Sequence, residues 1–321
     1  MLLFFRFAIL LATLLATHAA VALDAQRVAD GVYYFEGVAG QASHANRGFT
    51  SNAGFVVTDD GVLVFDALGT PELAREMLAA IAAITDQPVR RVIVSHYHAD
   101  HMYGLQVFKD AGAVIWAQQG GQAYIDSDLG RERLQQRRVT LAPWVDASTR
   151  LVPADRWIEF DDSGVIEFCF GGQNFRLIQA APAHTPEDMM LFVEASKVLF
   201  AGDVFFSGRL PFVVDGNTRG WLAAIERIKA THAAVVVPGH GPASRDVAND
   251  LATTERYLRF LREHMGAAVN ALETFDDAYA ATDWSAFEKL PTFSAANRRN
   301  AYSVYLEIQA EMLGSMEQDA H

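Results

Sequence analysis

Short apolar runs ended by glycine, aspartate or proline recur along this chain, and they limit its fold more than any other feature. Residues 55–57 and 62–65 flank Asp59-Asp60-Gly61, a turn signal that predicts a hairpin. Residues 92–94, 114–116, 175–178, 190–193, 198–200 and 235–237 are further strand-length runs. Helical patterns lie between them. Residues 71–84 are rich in Ala, Leu, Glu and Met and begin with a proline, which suits a first helical turn. Residues 218–231 place Leu222, Ile225 and Ile228 on one face. This alternation predicts an α/β sheet architecture with helices outside. Beyond Arg245 no strand is predicted. Residues 246–265 and 295–316 read as long amphipathic helices, with a shorter one near 270–281. No Gly/Ser-rich or charged linker sets this tail apart. The reading is a main domain over 23–244 and a helical extension over 245–321 packed on it.

A chain of 321 residues can bury a large core without covalent cross-links. Its single cysteine rules out an internal disulfide framework and any thiolate zinc cluster. That residue, Cys169, sits in the alternating stretch 165–170 and reads as a small half-buried strand residue, not a reactive thiol. A net charge of −13 argues against nucleic acid as a partner, because such a surface needs clustered Lys and Arg. Residues 1–22 are biased differently. Arg6 precedes an apolar run over 7–15, and Ala20-Val21-Ala22 forms an A-x-A cleavage signal. A secretory leader is predicted, giving a periplasmic or secreted protein without stable membrane association after cleavage. The run is short for a transmembrane span of roughly 20 residues. A retained anchor is the competing reading.

The chemistry concentrates in Ser95-His96-Tyr97-His98-Ala99-Asp100-His101, directly after a predicted buried strand. In extended backbone, residues i and i+2 face the same way, so His96 and His98 can grip one ion. The following turn can aim Asp100 and His101 at a second position. Imidazole and carboxylate suit Zn²⁺, Fe²⁺ or Mn²⁺ better than Ca²⁺ or Mg²⁺. Further candidates end other runs: Asp66, Asp203 after Gly202, His240 between two glycines, and His184 between two prolines. Strand ends on one sheet edge are where α/β folds gather their sites. Singly, the aspartates also read as helix caps and His240 as a turn residue. No G-x-S-x-G elbow is present, which disfavours covalent catalysis.

Taken in order, His96-x-His98-x-Asp100-His101, His184, Asp203 and His240, with Asp66 ahead of them, resemble the signature of the metallo-β-lactamase superfamily over about residues 32–241. That resemblance implies an αββα sandwich of two mixed β-sheets with its site at one edge. It implies that His96, His98 and His184 hold a first metal, that Asp100, His101 and His240 hold a second, and that Asp203 bridges them. Asp66 would be an outer-shell aspartate. The bridging aspartate resembles the glyoxalase II and lactonase branch, whereas secreted β-lactamases of the family typically carry Cys or Ser there. The implied cofactor is two Zn²⁺, with Fe²⁺ or Mn²⁺ as alternatives. The implied activity is hydrolysis of a small thioester, lactone or amide by metal-bound hydroxide, with Asp100 as the catalytic ligand. Residues 203–212 further resemble periplasmic hydrolases associated with bacterial sulfur oxidation (SoxH-like) or quinoprotein relays.

Several positions depart from the pattern or stay open. Tyr103 stands where the family often has glycine, and either lines the pocket or packs the helix start. Asp188 either orients a ligating histidine or caps a turn. The stretch 205–214 forms either a pocket wall, with Arg209 pairing a substrate anion, or a loop buried under the tail. Arg298 and Arg299 are expected on a solvated helix face. Competing functions are a mononuclear iron sulfur dioxygenase, a β-lactamase, and a non-catalytic periplasmic metal-binding accessory protein. The oligomeric state is not legible.

Overall fold

The computed structural model describes residues 23–319; the expected leader, 1–22, lies outside the described residues. Seven strands form the first sheet, in the order β1 (Gln26–Ala29), β2 (Val32–Phe35), β3 (Ala53–Thr58), β4 (Gly61–Phe65), β5 (Val89–Ile93), β6 (Val114–Gln118) and β7 (Arg156–Ile158). Its first four strands are antiparallel neighbours, and β4 to β7 run parallel. The second sheet has the order β12 (Val235–His240), β11 (Val198–Phe206), β10 (Met189–Val193), β9 (Gln173–Gln179) and β8 (Val165–Phe170). Only β11 and β12 are parallel within it. Both sheets are therefore mixed, as expected.

The sheets pack face to face. Val56, Leu63, Phe65 and Ile93 of the first meet Leu177, Leu191, Phe200 and Val237 of the second in a core between them. Each outer face carries helices and a core of its own. On the first sheet lie α1 (Pro71–Ala82), α2 (Ala99–Met102), α3 (Leu105–Asp110), α4 (Gly121–Asp126) and α5 (Asp128–Thr140). On the second lie α6 (Thr218–Ala230), α7 (Val247–Asn270), α8 (Phe275–Ala281) and α9 (Phe293–Asp319). Strands β4 and β11 are buried along their whole length, which is why they read as unbroken apolar runs. The predicted hairpin is β3–β4, closed where Thr58 pairs with Gly61 (φ +129°). Helix α1 starts where Thr70 Oγ1 accepts the Leu73 N–H at 3.2 Å, with Pro71 in the first turn.

Two expectations need correction. Cys169 is exposed, not half-buried, because it stands with Glu167 on the outward side of β8, the edge strand of the second sheet. Helices α4 and α5 have no counterpart in the sequence reading. The tail packs directly on the second sheet: Leu258, Leu261 and Val304 share a core with Phe205, Trp221 and Ile225. Arg298 pairs with Asp276 at 2.7 Å on the exposed face of α9.

Candidate metal centre

The chain leaves β5 at Ile93 in extended backbone and turns into α2, with His98 (φ −93°, ψ 151°) at the helix start. His96 and His98 thus leave on one side, and His101 follows from the next turn. Asp66, just beyond β4, holds this stretch in place from a left-handed backbone (φ +64°). Its carboxylate accepts the Ser95 N–H at 2.7 Å, the Ser95 hydroxyl at 2.8 Å and the His101 Nδ1–H at 2.8 Å. The second sheet supplies the rest. His184 lies on the turn before β10, Asp203 lies within β11, and His240 ends β12. Glycine permits the close approach: a Cβ on Gly239 would lie 1.9 Å from Asp203 Oδ1.

Three overlapping ligand groups result among the described residues, and the one made of His96, His101 and Asp203 links the other two. His96, His98 and His184 bring one donor atom each within 4.8 Å of one another, and so do Asp100, His101 and His240. His98 Nδ1 faces His184 Nε2 at 2.9 Å. Asp203 lies between the groups. Its Oδ1 is 3.2 Å from His101 Nε2, and its Oδ2 is 3.3 Å from both His184 Nε2 and His240 Nε2.

The far nitrogens of four histidines are already engaged. His98 Nε2 meets Asp215 Oδ2 at 3.1 Å, His101 Nδ1 meets Asp66, and His240 Nδ1 meets the Thr50 carbonyl at 2.6 Å. His96 Nδ1 lies 2.9 Å from Ser95 Oγ, whose proton goes to Asp66. This network fixes the tautomers so that the remaining nitrogens carry lone pairs towards the centre. Among the described residues, His96 Nε2, His101 Nε2 and Asp203 Oδ1 are buried without a hydrogen-bond partner. Orphaned buried donors and acceptors are rare in folded proteins. A divalent cation satisfies them, and a nitrogen-rich donor set suits a transition metal.

Electrostatics favour the same protonation state at His96, His184, Asp203 and Asp100, with His101 the exception. Burial drives His96 well below its ordinary pKa and His184 down to about 3, so both are neutral. Burial opposes ionisation of Asp203 and Asp100, but the surrounding imidazoles win, holding Asp203 well below the carboxylate range and Asp100 near 2. Burial also opposes the charged form of His101, yet Asp203 and Asp66 push it well above its usual value. A cation bound at Asp203 would release that proton.

The model of the metallo-β-lactamase superfamily matches residues 46–240, more than half of the chain. The chain belongs to the metallo-β-lactamase superfamily. Among its relatives is the linear primary-alkylsulfatase of Pseudomonas sp. (strain ATCC 19151), 24% identical over 218 residues that cover 57% of this chain and 40% of that one. Another is the beta-lactamase-like protein 2 homolog of Caenorhabditis elegans, 20% identical over 216 residues, covering 65% and 63%. The chain therefore spans less than two thirds of the length of either relative. Among solved structures, the metallo-β-lactamase from Pontibacter korlensis matches with a TM-score of 0.57 at 22% identity, covering 74% of this chain and 99% of that one. The stereoselective inverting sec-alkylsulfatase from Pseudomonas sp. matches with a TM-score of 0.70 at 18% identity, covering 88% and 50%. Both establish the superfamily fold.

Around this centre of a metallo-β-lactamase superfamily member, the neighbours are less regular than the candidate ligands. Asp188 Oδ2 accepts the Thr185 N–H, and its Oδ1 stands 3.9 Å from His96 Nδ1; it caps the turn and flanks a ligand at once. Tyr103 is fully buried against the first sheet, with no partner for its hydroxyl. The stretch 205–214 is held beneath the tail: Leu210 N–H donates to the Pro291 carbonyl at 3.1 Å, and Val213 N–H to Asn300 Oδ1 at 2.9 Å. Arg209 is buried with it, 3.3 Å from His240 Nδ1 and hydrogen-bonded to the Gly40 carbonyl, so it is not a free cation on an exposed loop. Phe206 stacks on His240 at 5.0 Å. The sequence reading missed Asp215, one residue past that stretch, which orients His98 and is itself gripped by Arg133 at 2.8 Å.

Proposed function

We propose that this protein is a two-metal, zinc-dependent hydrolase that cleaves a small ester-type or amide bond after export from the cytoplasm. The position of Asp203 carries this reading, because a carboxylate within 3.3 Å of ligands from both groups suits two ions held side by side. His96, His98 and His184 would hold the first ion, and Asp100, His101 and His240 the second. Bound zinc lowers the pKa of water from 15.7 to about 7, supplying a nucleophile near neutral pH.

The chain's own groups do the rest. Asp100 is the ligand carboxylate that reaches solvent, with 25% of its side chain exposed against 4% for Asp203. It is steadied by the Thr50 hydroxyl at 3.2 Å. Asp100 is therefore the group placed to hold a proton from the attacking water, while Asp203 stays shielded. Thioesters, lactones and amides fit this chemistry. A sulfate ester is a second reading, favoured because two of the matched relatives are named alkylsulfatases. The A-x-A signal supports export, and no described helix is long and apolar enough to cross a membrane.

Metal analysis with a substrate panel tests the proposal. Zinc-loaded protein should carry close to two ions per chain and hydrolyse at least one ester, thioester, lactone, lactam or alkyl sulfate. His96→Ala with His98→Ala should lose at least one ion. Protein that takes up no zinc would end the reading. A single bound iron with a colour would favour the dioxygenase alternative, and two ions without any turnover would favour an accessory protein.

A further inference from the structure

We propose that Arg137 on α5 is the group that recognises substrate, and that the substrate carries an oxyanion (carboxylate or sulfonate-like) away from the bond that is cleaved. The inference rests on the hydrolase reading and narrows its substrate class.

Helix α5 presents Arg133 and Arg137 one turn apart, hence on one face. They have different fates. Arg133 is committed: its guanidinium grips both oxygens of Asp215, at 2.8 and 3.1 Å, and through Asp215 it steadies His98. Arg137 is half-buried, and among the described residues its side chain makes no ion pair, hydrogen bond or ring contact; only its backbone carbonyl is engaged, by the Leu141 N–H at 2.8 Å. Its side chain instead borders a small hollow shared with Gly48, Gly69, Leu141 and Asp100. The hollow thus opens beside the second ligand group.

The backbone keeps this hollow clear. A Cβ on Gly69 would lie 2.8 Å from the Gly48 carbonyl oxygen and 3.2 Å from Asp100 Cα. Gly48 has a positive φ (+73°), and a Cβ there would come within 3.1 Å of Leu141 Cδ1. Tyr103 is fully buried, its hydroxyl is without a hydrogen-bond partner among the described residues, and it lies in the field of Arg137, Arg133 and Asp100.

A guanidinium drawn partly out of water without an acceptor is an unsatisfied charge, and its planar fork fits an oxyanion with two parallel hydrogen bonds. Asp100 lines the same hollow but forms no ion pair with Arg137 and is engaged with His240 and Thr50. When cations neutralise Asp100 and Asp203, Arg137 remains the uncompensated charge at the rim. In a chain of net charge −13, such a spot selects anions locally against the overall field.

The test compares wild type, Arg137→Gln and Arg137→Lys, each zinc-loaded, with metal content and melting temperature checked as equal. Two esters of the same leaving group are used: mono(4-nitrophenyl) succinate, which is anionic, and 4-nitrophenyl butyrate, which is neutral. R137Q should raise KM for the succinate ester at least tenfold more than for the butyrate, with kcat for the anionic ester changed by less than threefold. R137K should recover part of the difference. Calorimetric binding of 1-butanesulfonate should weaken at least tenfold in R137Q. Equal effects on both esters, or unchanged sulfonate binding, would overturn the role of Arg137. If wild type cleaves neither ester, ester hydrolysis fails, while sulfonate binding still decides the recognition site on its own.

Discussion

Asp215 acts on the metal centre without touching it. It fixes His98 through Nε2, and loss of such an outer partner typically weakens metal affinity about 10–100-fold. Asp215→Asn should do so in a competition with a chromophoric chelator, while Arg133→Gln should produce a smaller loss. The hydrogen bond from His98 and the Arg133 guanidinium together hold the Asp215 carboxyl well below its ordinary pKa. A carboxyl with a lowered folded pKa adds stability above its unfolded value of about 3.9 and loses it as pH falls towards the folded value. The side chain is one third exposed, so about 1 kcal/mol is expected after solvent screening. D215N should show that deficit in urea at pH 7 and a shrinking one below about pH 4. Gly239→Ala is the steric counterpart: its new Cβ would strike Asp203 Oδ1, so zinc stoichiometry should fall even where the fold survives. At this scale the residues that gather at the candidate centre were legible in the sequence, because His96 to His101, His184, Asp203 and His240 each follow a recognisable strand run. Asp215 and Arg137 were not, since a carboxylate on a loop and an arginine on a polar helix carry no local signal.

Elements tell the same story through their faces. Helix α1 and helix α6 announce themselves by apolar stripes and caps. Helix α5, Asp128–Thr140, is polar nearly all round and buries only Gly130 and Leu134, so periodicity could not reveal it. It is nevertheless the element that brings Arg133 and Arg137 to the site. Conversely, the stretch after β11 reads as apolar, and the sequence could not decide between pocket wall and buried loop. The tail decides it. Asn300, on α9, accepts from Val213 N–H and donates to the Pro211 carbonyl at 2.7 Å, from a fully buried position. Asn300→Ala should leave both groups unsatisfied and cost about 1–3 kcal/mol in a denaturant titration. If the melt is unchanged, this clasp is not what holds the loop beneath the tail.

For the whole molecule, the alternation of strands and helices was enough to reach an α/β sheet with helices outside, and the motif order was enough to reach the superfamily and, through it, the sandwich of two mixed sheets. The pairing of strands across two sheets was not legible, because it depends on contacts between distant segments. The tail is part of the structural unit: α7 and α9 share a core with Phe205 of β11 and Trp221 of α6. A chain truncated at residue 245 should bare that surface and appear insoluble or strongly dye-binding, with lost near-ultraviolet circular dichroism. The centre also has a mechanical meaning. The first-sheet side supplies His96, His98, Asp100 and His101, and the second-sheet side supplies His184, Asp203 and His240. Neither candidate ligand group is complete on one side, so an ion bound there would be a rivet through the joint between the two halves. Metal at about 1,000 times its dissociation constant would tighten that joint by about 4 kcal/mol, and chelation would loosen the seam before either sheet came apart.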